Sequence, residues 1–179
     1  MKPGTTLIDI GAFIGDTAAY FAMNSNVKTI MAYEPHPSTF GILQDNVNEL
    51  PEILKEKIRL KNKAIMEKEG YVANSSSSVT GSNKVRKSAE GGGEHVFHAT
   101  TLSKELKNLK KVAIKCDAEG AELHMFDNVD LSGVYAIQME THGTYRHLTE
   151  ILETKGFRVH GRGGGKLGYL YAEKSTNTQ

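Results

Sequence analysis

Residues 7–16 read Leu7-Ile8-Asp9-Ile10-Gly11-Ala12-Phe13-Ile14-Gly15-Asp16. An apolar strand enters a turn with two glycines, and a helical pattern begins at Asp16. Such a strand–turn–helix unit aims backbone N–H groups and the positive helix end at whatever lies above the strand. Gly11 and Gly15 let the main chain turn sharply and come close to a ligand. A dinucleotide fingerprint needs three glycines as G-x-G-x-x-G, whereas this turn has two, four apart. Asp9, at the strand end, would repel a pyrophosphate and attract a cationic amino-acid group.

Working outward, apolar runs alternate with helical periods, the pattern of βαβ units and a mostly parallel sheet. Strands are expected at 6–10, 29–33, 58–61, 111–116 and 134–139, with short ones at 71–73 and 95–99. Helices are expected at 16–23, 38–50 (Ser38 as N-cap), 102–109 and 145–155, the last stopped by Gly156. Strands 157–160 and 167–173 would close the sheet as a hairpin around Gly161–Gly165. The second strand ends in Ala32-Tyr33-Glu34-Pro35. In open α/β sheets the ligand crevice lies beyond the strand carboxyl ends, and a carboxylate there can accept both ribose hydroxyls. The two-glycine turn and Asp9 together favour S-adenosylmethionine over a dinucleotide, and Glu34 is a second clue to a nucleoside.

The 179 residues suit one domain over 1–179, with Ser/Gly-rich residues 74–94 expected as a flexible loop and 174–179 as a disordered tail. Lys plus Arg number 22 against 21 Asp plus Glu, which argues against a dedicated nucleic-acid surface. Cys116 is the only cysteine, so neither an internal disulfide nor a cysteine zinc site is expected. No apolar run approaches the roughly 20 residues of a membrane span, and Met1–Thr6 lacks signal-peptide character. These features lead to the expectation of a cytoplasmic protein without a membrane partner, with self-association left open.

Three blocks carry a more specific message: Asp9-Ile10-Gly11-Ala12-x-Ile14-Gly15-Asp16-Thr17, then Ala32-Tyr33-Glu34-Pro35-His36-Pro37, then Lys115-Cys116-Asp117-Ala118-Glu119-Gly120-Ala121-Glu122. Each falls at the end of an expected strand. In this order they resemble the FkbM-type methyltransferase family, over most of the chain from Thr6 to about His142. The resemblance implies a Rossmann-like class I methyltransferase fold: α/β, a mostly parallel seven-stranded sheet with an antiparallel last strand, helices on both faces. It implies that Asp9, Gly11, Gly15 and Asp16 surround the methionine part of S-adenosylmethionine. Glu34 would hold the ribose, Pro35 would line the adenine pocket, and Asn62 and Ala64 would lie beside the adenine edge. Phe13 departs from the family, which usually carries a polar residue such as Asn there. About five residues precede the first strand, where relatives carry a helical extension, so part of the usual lid is expected to be missing.

Methyl transfer is an in-line displacement at a sulfonium carbon, and a hydroxyl acceptor gains from a nearby general base. Candidates follow the fourth and fifth strands. Glu140 and His142 form the expected acid–base pair. Glu119 reads either as a pocket carboxylate or as a partner of the next helix N-terminus, and Asp117 either as a cofactor or acceptor ligand or as a cap of the Gly120 turn. Glu122 is expected at that helix N-terminus, and Lys115 in a buried ion pair with a nearby carboxylate. No metal is expected, because His95 and His98 point to opposite strand faces. Gly161–Lys166 lacks P-loop spacing. The family association implies O-methylation of a small-molecule hydroxyl, sugar-like or another metabolite. Two alternatives stand beside it: a non-catalytic S-adenosylmethionine-binding module or partner subunit, and an NAD-dependent oxidoreductase, against which the missing third glycine counts.

Overall fold

The computed structural model describes residues 1–74, 85–86, 95–118 and 120–174. The first half runs β1 (Thr5–Ile10), α1 (Asp16–Ala22), β2 (Val27–Tyr33), α2 (Pro37–Asn48), α3 (Glu52–Lys55) and β3 (Ile58–Lys61). Four short strands come next or nearly so: β4 (Ala64–Met66), β5 (Gly70–Asn74), β6 (Val85–Arg86) and β7 (His95–Thr101). The second half comprises α4 (Leu102–Leu106), β8 (Val112–Cys116), α5 (Glu122–Met125), β9 (Val134–Thr141), α6 (Tyr145–Thr154), β10 (Phe157–Arg162) and β11 (Gly168–Lys174).

Seven strands form one sheet in the order β10-β11-β9-β8-β1-β2-β3. The pairs β1·β2, β1·β8, β8·β9 and β2·β3 are parallel, while β11 runs antiparallel to both β9 and β10. The expected class I arrangement is therefore present. β8 is the central strand with β1 beside it, and the chain crosses from the β1–β3 half to the β8–β9 half between them. That switch point opens a crevice at the carboxyl ends of β1 and its neighbours.

Alternation along the strands builds two cores. Ile8 and Ile10 of β1 face one way, joining Ile114, Ile137 and the helix residues Leu102, Met125, Leu148 and Leu152. Leu7 faces the other way, with Ala18 and Ala22 of α1 and Leu43 and Val47 of α2. Helices thus cover both faces. Ile8, Ile30 and Ile137 are fully buried, and each such side chain contributes about 2 kcal/mol through removal from water.

Three local expectations are corrected. Ser38 does not cap α2; His36 is the N-cap residue and Pro37 fills the first turn, where its missing N–H costs nothing. The strand expected from Lys111 starts at Val112, because Lys111 has a left-handed φ of 56°. A second, four-stranded sheet, β4-β7-β5-β6, stands beside the first. Of the loop expected over 74–94, Asn74 ends β5 and Val85–Arg86 pair antiparallel with Ala73 and Asn74; the rest lies outside the described residues, as does the tail beyond Lys174.

Candidate active site

The crevice is built on the tips of β1, β2, β8 and β9. β1 ends at Ile10, and Gly11 after it has a left-handed φ of 73°. A Cβ at Gly11 would stand 2.0 Å from the Asp117 carbonyl oxygen, so only glycine fits. Gly15 is also left-handed, and a Cβ there would meet Leu43 Cδ1 at 2.5 Å. These two glycines press the turn against β8 and α2.

Four of the turn's amides, expected to face a ligand, are engaged within the protein instead. Gly11 and Ala12 both donate to the Tyr33 carbonyl, at 3.0 and 2.9 Å, and Gly15 donates to Ala12 at 2.9 Å. Phe13 donates to Glu34 Oε2 at 3.1 Å. Four N–H groups thus bind the turn to β2, to Glu34 and to itself.

Asp9 lies fully buried beneath the turn. Lys115, its register partner on β8, places Nζ 3.3 Å from Oδ1 and donates at 2.7 Å to the Gly11 carbonyl. The expected ion pair is therefore present, although the ammonium is aligned on the carbonyl and neither Asp9 oxygen accepts a hydrogen bond. Burial pushes the Asp9 carboxyl up to about 6, against the opposing pull of Lys115.

Glu34 is 7% exposed; Oε1 accepts from His36 N at 2.9 Å and Oε2 from Phe13 N. Burial raises its pKa, while those two backbone donors oppose the rise. Each oxygen keeps a second lone pair for a ligand hydroxyl. Asn62, exposed just past β3, donates to the carbonyls of Glu34 at 2.9 Å and Pro35 at 3.1 Å, clasping the tips of β2 and β3. Pro35 is half-buried and Asp16 is exposed at the start of α1. Ala64 opens β4 of the second sheet, with its side chain buried against Ala99.

On the β8–β9 side, Asp117 donates its N–H to the Ile10 carbonyl at 2.9 Å. Its Oδ1 is buried and accepts no hydrogen bond, so this oxygen does not cap the Gly120 turn. His142 stands just past β9. Its ring Nε2 is 3.5 Å from Glu140 Oε1 and its Nδ1 is 3.3 Å from Glu122 Oε1. That Glu122 oxygen also accepts from His142 N at 2.8 Å and from Thr144 Oγ1 at 3.0 Å. Glu122 is fully buried. The reading of Glu122 as a helix-end partner is thus corrected: it holds the β9–α6 loop and the His142 ring. Glu119 lies outside the described residues.

The donor set tests the cofactor. Asp9, ion-paired with Lys115, and Asp117 both keep buried carboxylate oxygens without a hydrogen bond at the strand tips. An acidic crevice of this kind suits a ligand bearing sulfonium and ammonium charges and opposes a pyrophosphate. Fold and site define a Rossmann-like, class I nucleoside-binding α/β protein.

The family model for the methyltransferase FkbM domain matches residues 9–159, and the chain belongs to this family of S-adenosylmethionine-dependent methyltransferases. Solved structures share the fold. The FkbM methyltransferase from Methylobacillus flagellatus KT aligns with a TM-score of 0.67 at 15% identity, over 96% of this chain and 44% of its own. Precorrin-6y C5,15-methyltransferase from Geobacter metallireducens GS-15 aligns with a TM-score of 0.56 at 16% identity, over 98% of this chain and 82% of its own. TrmK from M. capricolum, solved with S-adenosylhomocysteine, gives 0.60 at 12% identity, over 98% and 64%. The chain therefore spans less than half of the FkbM relative. No curated protein matches it. Among the described residues, no helix is long and apolar enough to cross a membrane.

Proposed function

We propose that the chain transfers a methyl group from S-adenosylmethionine to a hydroxyl oxygen of a small metabolite, in the cytoplasm. The observation that carries this reading is His142, fixed by a buried carboxylate on one ring nitrogen and facing Glu140 with the other, beside Asp117.

Asp9, Gly11, Gly15, Asp16 and Asp117 hold the methionine end, and Glu34, Pro35 and Asn62 the nucleoside end. Bound there, S-adenosylmethionine supplies an electrophilic methyl carbon. The residues of this chain align the acceptor and manage its proton. Ionised Glu122 favours the proton on Nδ1 of His142, which leaves Nε2 as the acceptor nitrogen. His142 and Glu140 are then placed to receive the hydroxyl proton, a contribution of about 10²–10⁴-fold. Both side chains are partly exposed, 22% for His142 and 28% for Glu140.

Replacing His142 by Ala is expected to lower turnover about 10²-fold or more while S-adenosylhomocysteine affinity stays within about twofold. Turnover is read with a panel of hydroxylated acceptors, and affinity by calorimetry. Undiminished turnover would remove His142 from the chemistry.

A further inference from the structure

We propose that Asp117, Glu140 and His142 form a binding site for one divalent transition cation of the Mn²⁺ type, at the edge of the cofactor crevice. The site's place on the acceptor side rests on the methyltransferase reading; its capacity for the cation does not.

Each of the three residues offers one ligand atom, and these atoms lie within 4.8 Å of one another. Glu140 and His142 come from the end of β9, Asp117 from the end of β8, and the parallel pairing of the two strands brings them together. All three groups are acceptors when Asp117 and Glu140 are ionised and the His142 proton sits on Nδ1. Such a set repels itself unless a proton or a cation lies between its members.

Two further features favour a cation. The Asp117 Oδ1 atom is buried with no hydrogen-bond partner, an arrangement that costs free energy unless something positive satisfies it. Glu122, fully buried, approaches the far nitrogen of the imidazole. A carboxylate behind a ligating histidine fixes the ring and raises its basicity, and is the usual outer support of a metal site. Lys115, the ammonium at the neighbouring strand tip, is spent on Asp9 and the Gly11 carbonyl. Two carboxylates and one imidazole suit Mn²⁺ or Fe²⁺ better than Ca²⁺ or a thiolate-seeking ion. Metal–ligand bonds of about 2.1 Å put neighbouring ligand atoms about 3 Å apart, so loading draws the cluster together through side-chain rotation.

Three protein ligands leave coordination positions open, and an acceptor hydroxyl can occupy one. Coordination acidifies a hydroxyl. With the cation bound, the O–H proton passes to the second oxygen of Glu140 while His142 holds the ion; in the metal-free chain His142 keeps the role of base.

The test is a titration of the chelator-stripped full chain with Mn²⁺, followed by loss of the free-ion paramagnetic resonance signal, without S-adenosylmethionine. The expected result is one saturable equivalent per chain. Glu140→Gln and His142→Gln should each weaken uptake at least tenfold, and Glu122→Gln by about 10–100-fold, with thermal midpoints confirming that the partly exposed ligand variants fold. Absence of saturable uptake, or uptake unchanged in both ligand variants, would overturn the proposal. S-adenosylhomocysteine affinity is measured on the same metal-free protein. Intact nucleoside binding without Mn²⁺ uptake rejects the cation site alone, and Mn²⁺ uptake without nucleoside binding rejects the methyltransferase reading alone.

Discussion

Lys115 and Asp9 are register partners on adjacent parallel strands, with Nζ 3.3 Å from Oδ1, and the same ammonium holds the Gly11 carbonyl at 2.7 Å. One side chain therefore supplies the counter-charge of a buried carboxylate and tethers the turn that forms the crevice floor. Replacing Lys115 by Met keeps most of its volume and removes the charge. The expected loss is about 3–5 kcal/mol at pH 8, where Asp9 is ionised. It should be clearly smaller at pH 5, where Asp9 is mostly protonated. Urea unfolding at the two pH values measures both, and equal losses would show that the lysine acts by packing alone.

Asp9 also gives cofactor binding a pH dependence. Its carboxyl titrates near 6 in the fold, against 3.8 ordinarily. Between those values the native state holds a proton that the unfolded chain has shed, so this group's contribution to stability falls as pH rises through the window. Cofactor affinity should move the opposite way, because only ionised Asp9 attracts the cationic methionine end. Calorimetric titration of S-adenosylmethionine from pH 5 to 7.5 should show affinity rising and levelling off above about 6. A flat profile would separate Asp9 from the ligand.

Glu34 makes a different case, since its two oxygens already accept from Phe13 and His36. Changing it to Ala should weaken S-adenosylhomocysteine binding by about 1–3 kcal/mol, the scale of hydrogen bonds to a charged group. Glu34→Gln should recover part of that loss, because one acceptor oxygen remains. Unchanged affinity in the Ala variant, with the fold intact by circular dichroism, would remove Glu34 from the ribose role.

Phe13 sits at φ 50° and is 47% exposed. A bulky side chain in the left-handed region costs about 1–2 kcal/mol, and burial of the ring returns little of it here. Phe13→Asn and Phe13→Gly should therefore raise the thermal midpoint by a few degrees, with Gly offset in part by its unfolded-state entropy. A lowered midpoint in both variants would show that the ring packs in a way that outweighs its backbone.

Much of this arrangement was legible beforehand. Strand ends, the two-glycine turn and the closing hairpin are marked by local signals: hydrophobic period, turn chemistry and backbone freedom at Gly11 and Gly156. Three motif blocks at successive strand ends then gave the fold and the placement of Asp9, Glu34 and Lys115. The second sheet was not legible, because β4 has three residues, too few for a period, and its parallel partner β7 lies far along the chain.

What the sequence determined by itself is the order of the strands, the turn after β1 and the acidic character of the crevice, because each follows from neighbours in the chain. Only the tertiary structure decided that the turn's amides are spent on Tyr33 and Glu34, that Glu122 lies behind His142, and that Asp117, Glu140 and His142 share one corner. Those facts depend on which strands lie side by side and which face a side chain meets. Sheet pairing between distant segments makes that choice, and no local pattern records it.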